Sequence, residues 1–218
     1  LMPTLSEQTQ QALNDFVTGL PEDQQQTVSA AFQDLLSSSV TATAKKNGET
    51  AAAFELDNVR GGKLSLSEAL SDGPVVLSFY RGSWCPFCNL ELNALQQRLA
   101  DIEACGARLI AVSPELPDAS LSHAEKLELG FDVLSDPGNL VAERYGLVMT
   151  VHETLRPLYR QWGIDLPAAN GDESFQLPVP ATFVIDCSAI ICASHVDKDY
   201  TKRMEPDAII EVLQAIGQ

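Results

Sequence analysis

Basic residues are scarce in this chain. Fourteen lysines and arginines stand against 30 aspartates and glutamates, a formal net charge of −16 over 218 residues. Such a surface repels phosphate backbones and anionic membranes, so no nucleic-acid or membrane partner is expected. Long apolar runs are missing too: no stretch of about 18 apolar residues is available to cross a bilayer as a helix. The opening LMPTLSEQTQ has no basic segment followed by an apolar block, so no secretory signal is expected. Cysteine is sparse and odd in number, five in all, which argues against a disulfide scaffold and for a cytoplasmic setting. Histidine is rarer still, with three residues, none next to a cysteine pair. No internal repeat is present.

What the chain does have is ample apolar content, 45% of residues, enough to bury the core of one ordinary domain with an appendage. Residues 4 to 38 read as two helices. TLSE at residues 4 to 7 has the form of a capping box, and Leu13, Phe16 and Leu20 fall on one face. Pro21 opens a second helix with Val28, Phe32, Leu35 and Leu36 as its apolar stripe. These helices are expected to pack on the domain behind them; a dimer contact or a lid are the alternatives. SSSVTATAKKNGET follows as a linker. Residues 1–45 are therefore read as an N-terminal helical extension and residues 46–218 as one α/β domain.

Within that domain, strands alternate with helices. AAFELDNVRGGKLSL reads as two short strands around a Gly-Gly turn, and Ser65 with Glu68 caps a short helix. PVVLSFY, residues 74 to 80, is an apolar β-branched run suited to a central strand. FCNLELNALQQRLADI carries Leu92, Leu95 and Leu99 at helical spacing. ARLIAVS and FDVLSDP read as further strands. ATFVID and IICASHV form a terminal hairpin, and EPDAIIEVLQAIG is a closing helix. This order predicts helices layered on a mixed central sheet.

The chemistry is concentrated in RGSWCPFCNLEL, residues 81 to 92. Cys85 follows the central strand, and Pro86 after it favours the first turn of a helix. Cys85 is then the N-cap, with Cys88 one turn on and on the same face. Free N–H groups and the helix dipole stabilise a thiolate there, lowering a cysteine pKa from about 8.5 to somewhere near 3.5–7.5. A metal clamp is disfavoured because Cys105, Cys187 and Cys192 supply no second pair and no histidine adjoins the motif, so neither metal nor cofactor is expected. An inert buried pair is a poor match to this strand-to-helix junction. Redox chemistry is the expected use.

FYRGSWCPFC resembles the thioredoxin superfamily, in which a Trp-Cys-x-x-Cys motif follows the central strand. The longer frame, from about residue 45 to 216, narrows the resemblance. VVLSFYRGSWCPFCNLELNALQ, AVSPELPD, VLSDPGNLVAERYGL, LPVPATFVID and DKDYTKRMEP together resemble the peroxiredoxin-like branch of the alkyl hydroperoxide reductase and thiol-specific antioxidant family. The resemblance implies a thioredoxin-like fold and peroxide reduction. Cys85 takes the position of the attacking thiol, passing through a sulfenic acid, and Cys88 resolves it as an intramolecular disulfide. A thioredoxin-like or glutathione-based reductant restores both thiols, and a homodimer is a candidate assembly. The runner-up activity is exchange with protein or small-molecule disulfides.

The chain departs from that family in two places. The Pro-x-x-x-Thr-x-x-Cys pattern of typical members is replaced by Ser78 and Gly82 at the proline and threonine positions. The arginine that precedes the TFVID-type strand is replaced by Pro180, where thioredoxins hold a cis proline facing the dithiol. Arg81, four residues before Cys85, is the expected substitute: a fixed charge that favours the thiolate and polarises peroxide oxygen. Ser83 is expected to donate a hydrogen bond to substrate, and Trp84 to shield the dithiol and offer an apolar surface. Arg203 is a second candidate, with an ion pair to an acid of the neighbouring DKDY run as the simpler expectation.

Overall fold

The structure, a computed structural model, describes residues 3–217; Leu1, Met2 and Gln218, the first two of which open the expected extension, lie outside the described residues. The chain begins with α1 (Leu5–Gly19) and α2 (Glu22–Ser37). The hairpin β1 (Glu55–Asn58) and β2 (Lys63–Ser65) leads through α3 (Leu66–Asp72) into β3 (Val75–Phe79). Then come α4 (Pro86–Gln97), α5 (Leu99–Ala104), β4 (Arg108–Ser113), α6 (Pro117–Lys126) and β5 (Asp132–Ser135). The second half holds α7 (Leu140–Arg144), β6 (Val148–Thr150), α8 (Arg156–Gln161), α9 (Leu166–Asn170) and β7 (Gln176–Pro178). It closes with β8 (Ala181–Ile185), β9 (Ile191–Val196) and α10 (Pro206–Ile216).

Seven strands form one mixed sheet in the order β2-β1-β5-β4-β3-β8-β9. β3, β4 and β5 run parallel, and β8 pairs antiparallel with β3 in register Val75 to Ile185. The apolar run of β3 is buried along its whole length because helices cover both faces. Its residues sort by the two-residue period of a strand. Val76 and Tyr80 face the layer of α4, α6 and α10, with Leu92, Leu95, Ile209 and Leu213. Val75, Leu77 and Phe79 face the layer of α3 and α7, with Ala69, Val141 and Tyr145. Each fully buried side chain of this size contributes about 1.5–3 kcal/mol. That is what fixes the strand whose far end carries the dithiol.

Two features differ from the sequence reading. The helix expected through residues 87 to 102 is broken at Arg98 (φ −109°, ψ 10°) into α4 and α5. Arg98 there ion-pairs with Asp101 and with Asp207 of α10. The β6–β7 ribbon and α9 carry too few residues for a periodic signal, and none was read there.

The extension packs on the domain. Thr4 and Glu7 close the capping box, and the N–H groups of Leu5 and Ser6 donate to the Glu205 carboxylate at 3.2 and 2.8 Å. Phe16 meets Trp162 edge-on and Phe32 meets Tyr200 edge-on, each with ring centroids 5.3 Å apart. Both helices thus lie over the loops that surround the dithiol.

Candidate active site

β3 ends at Phe79, and Tyr80 to Trp84 turn the chain onto α4. Cys85 is the N-cap of α4, and its sulfur accepts the backbone N–H of Cys88 at 3.3 Å. Pro86 at the first helical position lacks the N–H that would otherwise be orphaned. The Cys88 thiol donates to Cys85 Sγ at 2.7 Å, with both thiols free and neither exposed to solvent.

Arg81 is 3% exposed, and its Nη2 donates to Cys85 Sγ at 3.4 Å. Its Nη1 donates to the Tyr159 hydroxyl at 3.5 Å. The guanidinium lies 4.1 Å from the Tyr200 ring centroid and 4.9 Å from that of Trp84. Burial pushes the Cys85 thiol up, but the hydrogen bond from Cys88 and the charges of Arg81 and Arg203 outweigh it and hold Cys85 well below the usual thiol range. Cys88 goes the other way: burial, the hydrogen bond it gives to Cys85 and the Cys85 charge push it well above that range. The pair is therefore a thiolate beside a thiol. Burial pushes the Tyr200 phenol up to about 12 and raises Tyr159 as well, so both stay neutral.

Arg203 belongs to this site, and its ion pair is not with the neighbouring acids of DKDY. Its Nε lies 2.6 Å from Glu91 Oε2, with both side chains 2% exposed, and its Nη2 donates to Cys88 Sγ at 3.6 Å. Glu91 also accepts the Thr182 hydroxyl at 3.2 Å, which ties the helix to β8. The signal for Glu91 was present in the sequence: it sits three residues after Cys88, on the apolar face of α4. No spacing marks Tyr159 or Tyr200.

Ser83 is turned away from the sulfurs. Its N–H and hydroxyl both donate to Glu115 Oε1, at 3.0 and 2.7 Å, and Asn89 Nδ2 donates to its carbonyl at 3.1 Å. These bonds hold the loop. Trp84 is half-buried, its ring 5.4 Å from that of Tyr159. Gly82 explains the missing threonine: at φ +152°, a Cβ there would stand 2.4 Å from Trp84 Nε1. Every peptide bond among the described residues is trans, so buried Pro180 does not take the cis form of thioredoxins.

A reactive dithiol at the helix that follows the central strand of this sheet defines a thioredoxin-fold thiol oxidoreductase. A Mycobacterium tuberculosis protein provisionally named a peroxiredoxin is 31% identical over 115 residues, covering 53% of this chain and 75% of that one. The crystal structure of the M. tuberculosis peroxidoxin BcpB is 26% identical with a TM-score of 0.61, covering 78% of this chain and 97% of that one. The thiol-disulfide oxidoreductase ResA of Halalkalibacterium halodurans is 29% identical over 101 residues, 46% of this chain and 56% of that one. Residues 47–194 match the AhpC/TSA family, and the chain belongs to that family.

Proposed function

We propose that the protein is a thiol peroxidase that uses Cys85 as nucleophile and Cys88 as resolving thiol. The observation that carries this reading is the setting of Cys85 Sγ, which accepts from Arg81 Nη2 at 3.4 Å and from the Cys88 thiol at 2.7 Å; both contacts favour the thiolate on Cys85. The Cys85 thiolate attacks the terminal peroxide oxygen. An S–O bond forms, the O–O bond breaks, and the leaving oxygen takes a proton to become water or an alcohol. Cys88 then attacks the Cys85 sulfenic acid; an S–S bond forms and the hydroxyl leaves with the thiol proton as water. Both sulfurs come from one chain, so resolution needs no second subunit. A thiol donor, either a thioredoxin-like dithiol or two equivalents of a glutathione-based monothiol, returns the disulfide to two thiols and is itself oxidised to a disulfide. Five free cysteines suit a reducing cytoplasm. Family membership favours this reading over disulfide exchange.

The test is stopped-flow mixing of reduced protein with hydrogen peroxide, followed by tryptophan fluorescence. Oxidation far faster than that of a free thiol, absent in Cys85→Ser, supports the peroxidase. Oxidation at the free-thiol rate, with brisk reduction of insulin disulfides, assigns the protein to disulfide exchange instead.

A further inference from the structure

The extension does more than cover the domain. Between α2 and β6 lies a cavity of about 260 Å³. Phe32, Leu35 and Val40 form one wall, and Met149, Val151 and Leu155 form the other. Arg81, Tyr159 and Tyr200 close its inner end. The first wall lies entirely before residue 47, where the family match begins, so the family's shared domain does not complete this cavity by itself. The volume approaches the lower bound, about 300 Å³, of small-molecule sites, and the lining has their mostly apolar character.

We infer that this cavity is a subsite for the tail of an uncharged organic hydroperoxide, and that the N-terminal helices set the enzyme's preference for such substrates over hydrogen peroxide. Arg81 is the shared wall. Arg81 lines the cavity, and its Nη2 sits 3.4 Å from Cys85 Sγ. A hydroperoxide with its tail between α2 and β6 directs its O–O group toward Arg81; Cys85 does not line the cavity, so the O–O group reaches the sulfur by passing beside the guanidinium. The Tyr159 hydroxyl lies 3.5 Å from Arg81 Nη1, and the Tyr200 ring lies against the same guanidinium. Hydrogen peroxide has no atoms to fill the apolar walls. At the rim Asp34 lies 3.5 Å from His152, and the protein's charge is −16, so a carboxylate-bearing tail is disfavoured. The chemistry is that of the proposed peroxidase, on which this inference rests. Thiolate sulfur takes the terminal oxygen, the O–O bond breaks, and the tail leaves as an alcohol after gaining a proton.

Single-turnover rate constants for cumene hydroperoxide and hydrogen peroxide test it. The wild type is expected to favour cumene hydroperoxide. Leu35→Trp, which fills the cavity from α2, is expected to lower the ratio of the two constants at least tenfold. Cumyl alcohol, the reduced product, provides a second measurement that needs no variant: it should slow oxidation of the wild type by cumene hydroperoxide competitively. An unchanged ratio in folded Leu35→Trp, or no effect of cumyl alcohol on the wild type, overturns the subsite while leaving the peroxidase standing. A wild type inert to both peroxides overturns the peroxidase itself.

Discussion

Replacing Arg81 with alanine removes the charge nearest the nucleophile. At 3.4 Å, a unit charge stabilises a thiolate by about 5 kcal/mol at an effective dielectric of about 20. That corresponds to roughly 3 to 4 pKa units. Water entering the vacated space screens the site, and Arg203 remains, so the expected rise is on the order of 2 units. The sign follows from the chemistry. A depressed pKa means that more of the wild-type sulfur is thiolate at pH 6 than in an ordinary thiol, so its oxidation rate rises less between about pH 6 and pH 8. An ordinary thiol near 8.5 gains about 75-fold in thiolate over that interval. In Arg81→Ala the inflection moves up and the rate rises more steeply across the interval, toward that of an ordinary thiol. The assay is oxidation by hydrogen peroxide across this pH range, with ultraviolet thiolate absorbance read beside it and Cys85→Ser as blank. A flat profile in folded Arg81→Ala, or a steep one in the wild type, refutes the account of Cys85 activation.

Cys88→Ser is expected to consume one equivalent of peroxide and stop, leaving a sulfenic acid on Cys85 that mass spectrometry detects; sustained turnover with a dithiol donor would remove Cys88 from the cycle. Gly82→Thr restores the family's usual residue but drives its Cβ into the Trp84 indole. A loss on the order of 1–3 kcal/mol in denaturant unfolding and a shifted Trp84 emission are expected; an unperturbed protein contradicts the packing. Glu91→Gln leaves the buried Arg203 guanidinium without its counter-charge and is expected to cost about 3–5 kcal/mol, whereas Glu91→Leu with Arg203→Met costs much less. Thermal unfolding of the two reads the difference.

The central strand, the dithiol helix and the terminal hairpin were legible because each is a local pattern. β3 is a continuous apolar run, α4 announces itself with Cys-Pro, and β8 and β9 flank a short turn at Asp186. Arg81 was legible for the same reason, four residues from the nucleophile. The rest of the site is non-local. Tyr159 comes from α8 and Tyr200 from the loop after β9, 74 and 115 residues from Cys85 by position, and only the packed sheet brings them to one guanidinium. Arg203 was named but paired wrongly, because sequence proximity favours the acids beside it. The fold offers it Glu91 instead, on the buried face of α4. The Ser83 partner is non-local too: its hydroxyl donates to the Glu115 carboxylate, from the loop after β4, at 2.7 Å.

The two arginines explain why two cysteines in one helical turn behave differently. Arg203 shares its charge with Glu91 at 2.6 Å, and its pull on Cys88 is outweighed by burial, by the hydrogen bond Cys88 gives to Cys85 and by the Cys85 charge, so Cys88 keeps its proton. Arg81 is held by phenol and indole rings, whose faces attract a cation without cancelling its charge. Its full charge therefore falls on Cys85, in a setting that water does not screen. A typical member of the family positions peroxide with a threonine that this loop has no room for. Here the same loop spends that space on Trp84, and Trp84 helps to hold the guanidinium in place. The missing threonine and the stacked arginine are thus one arrangement, in which an aromatic clamp on a charge stands where a hydroxyl stands elsewhere. Weakening the clamp with Trp84→Leu should then raise the Cys85 inflection in the same pH profile, in the same direction as Arg81→Ala and by a smaller amount. A profile as flat as the wild type's would separate the two features.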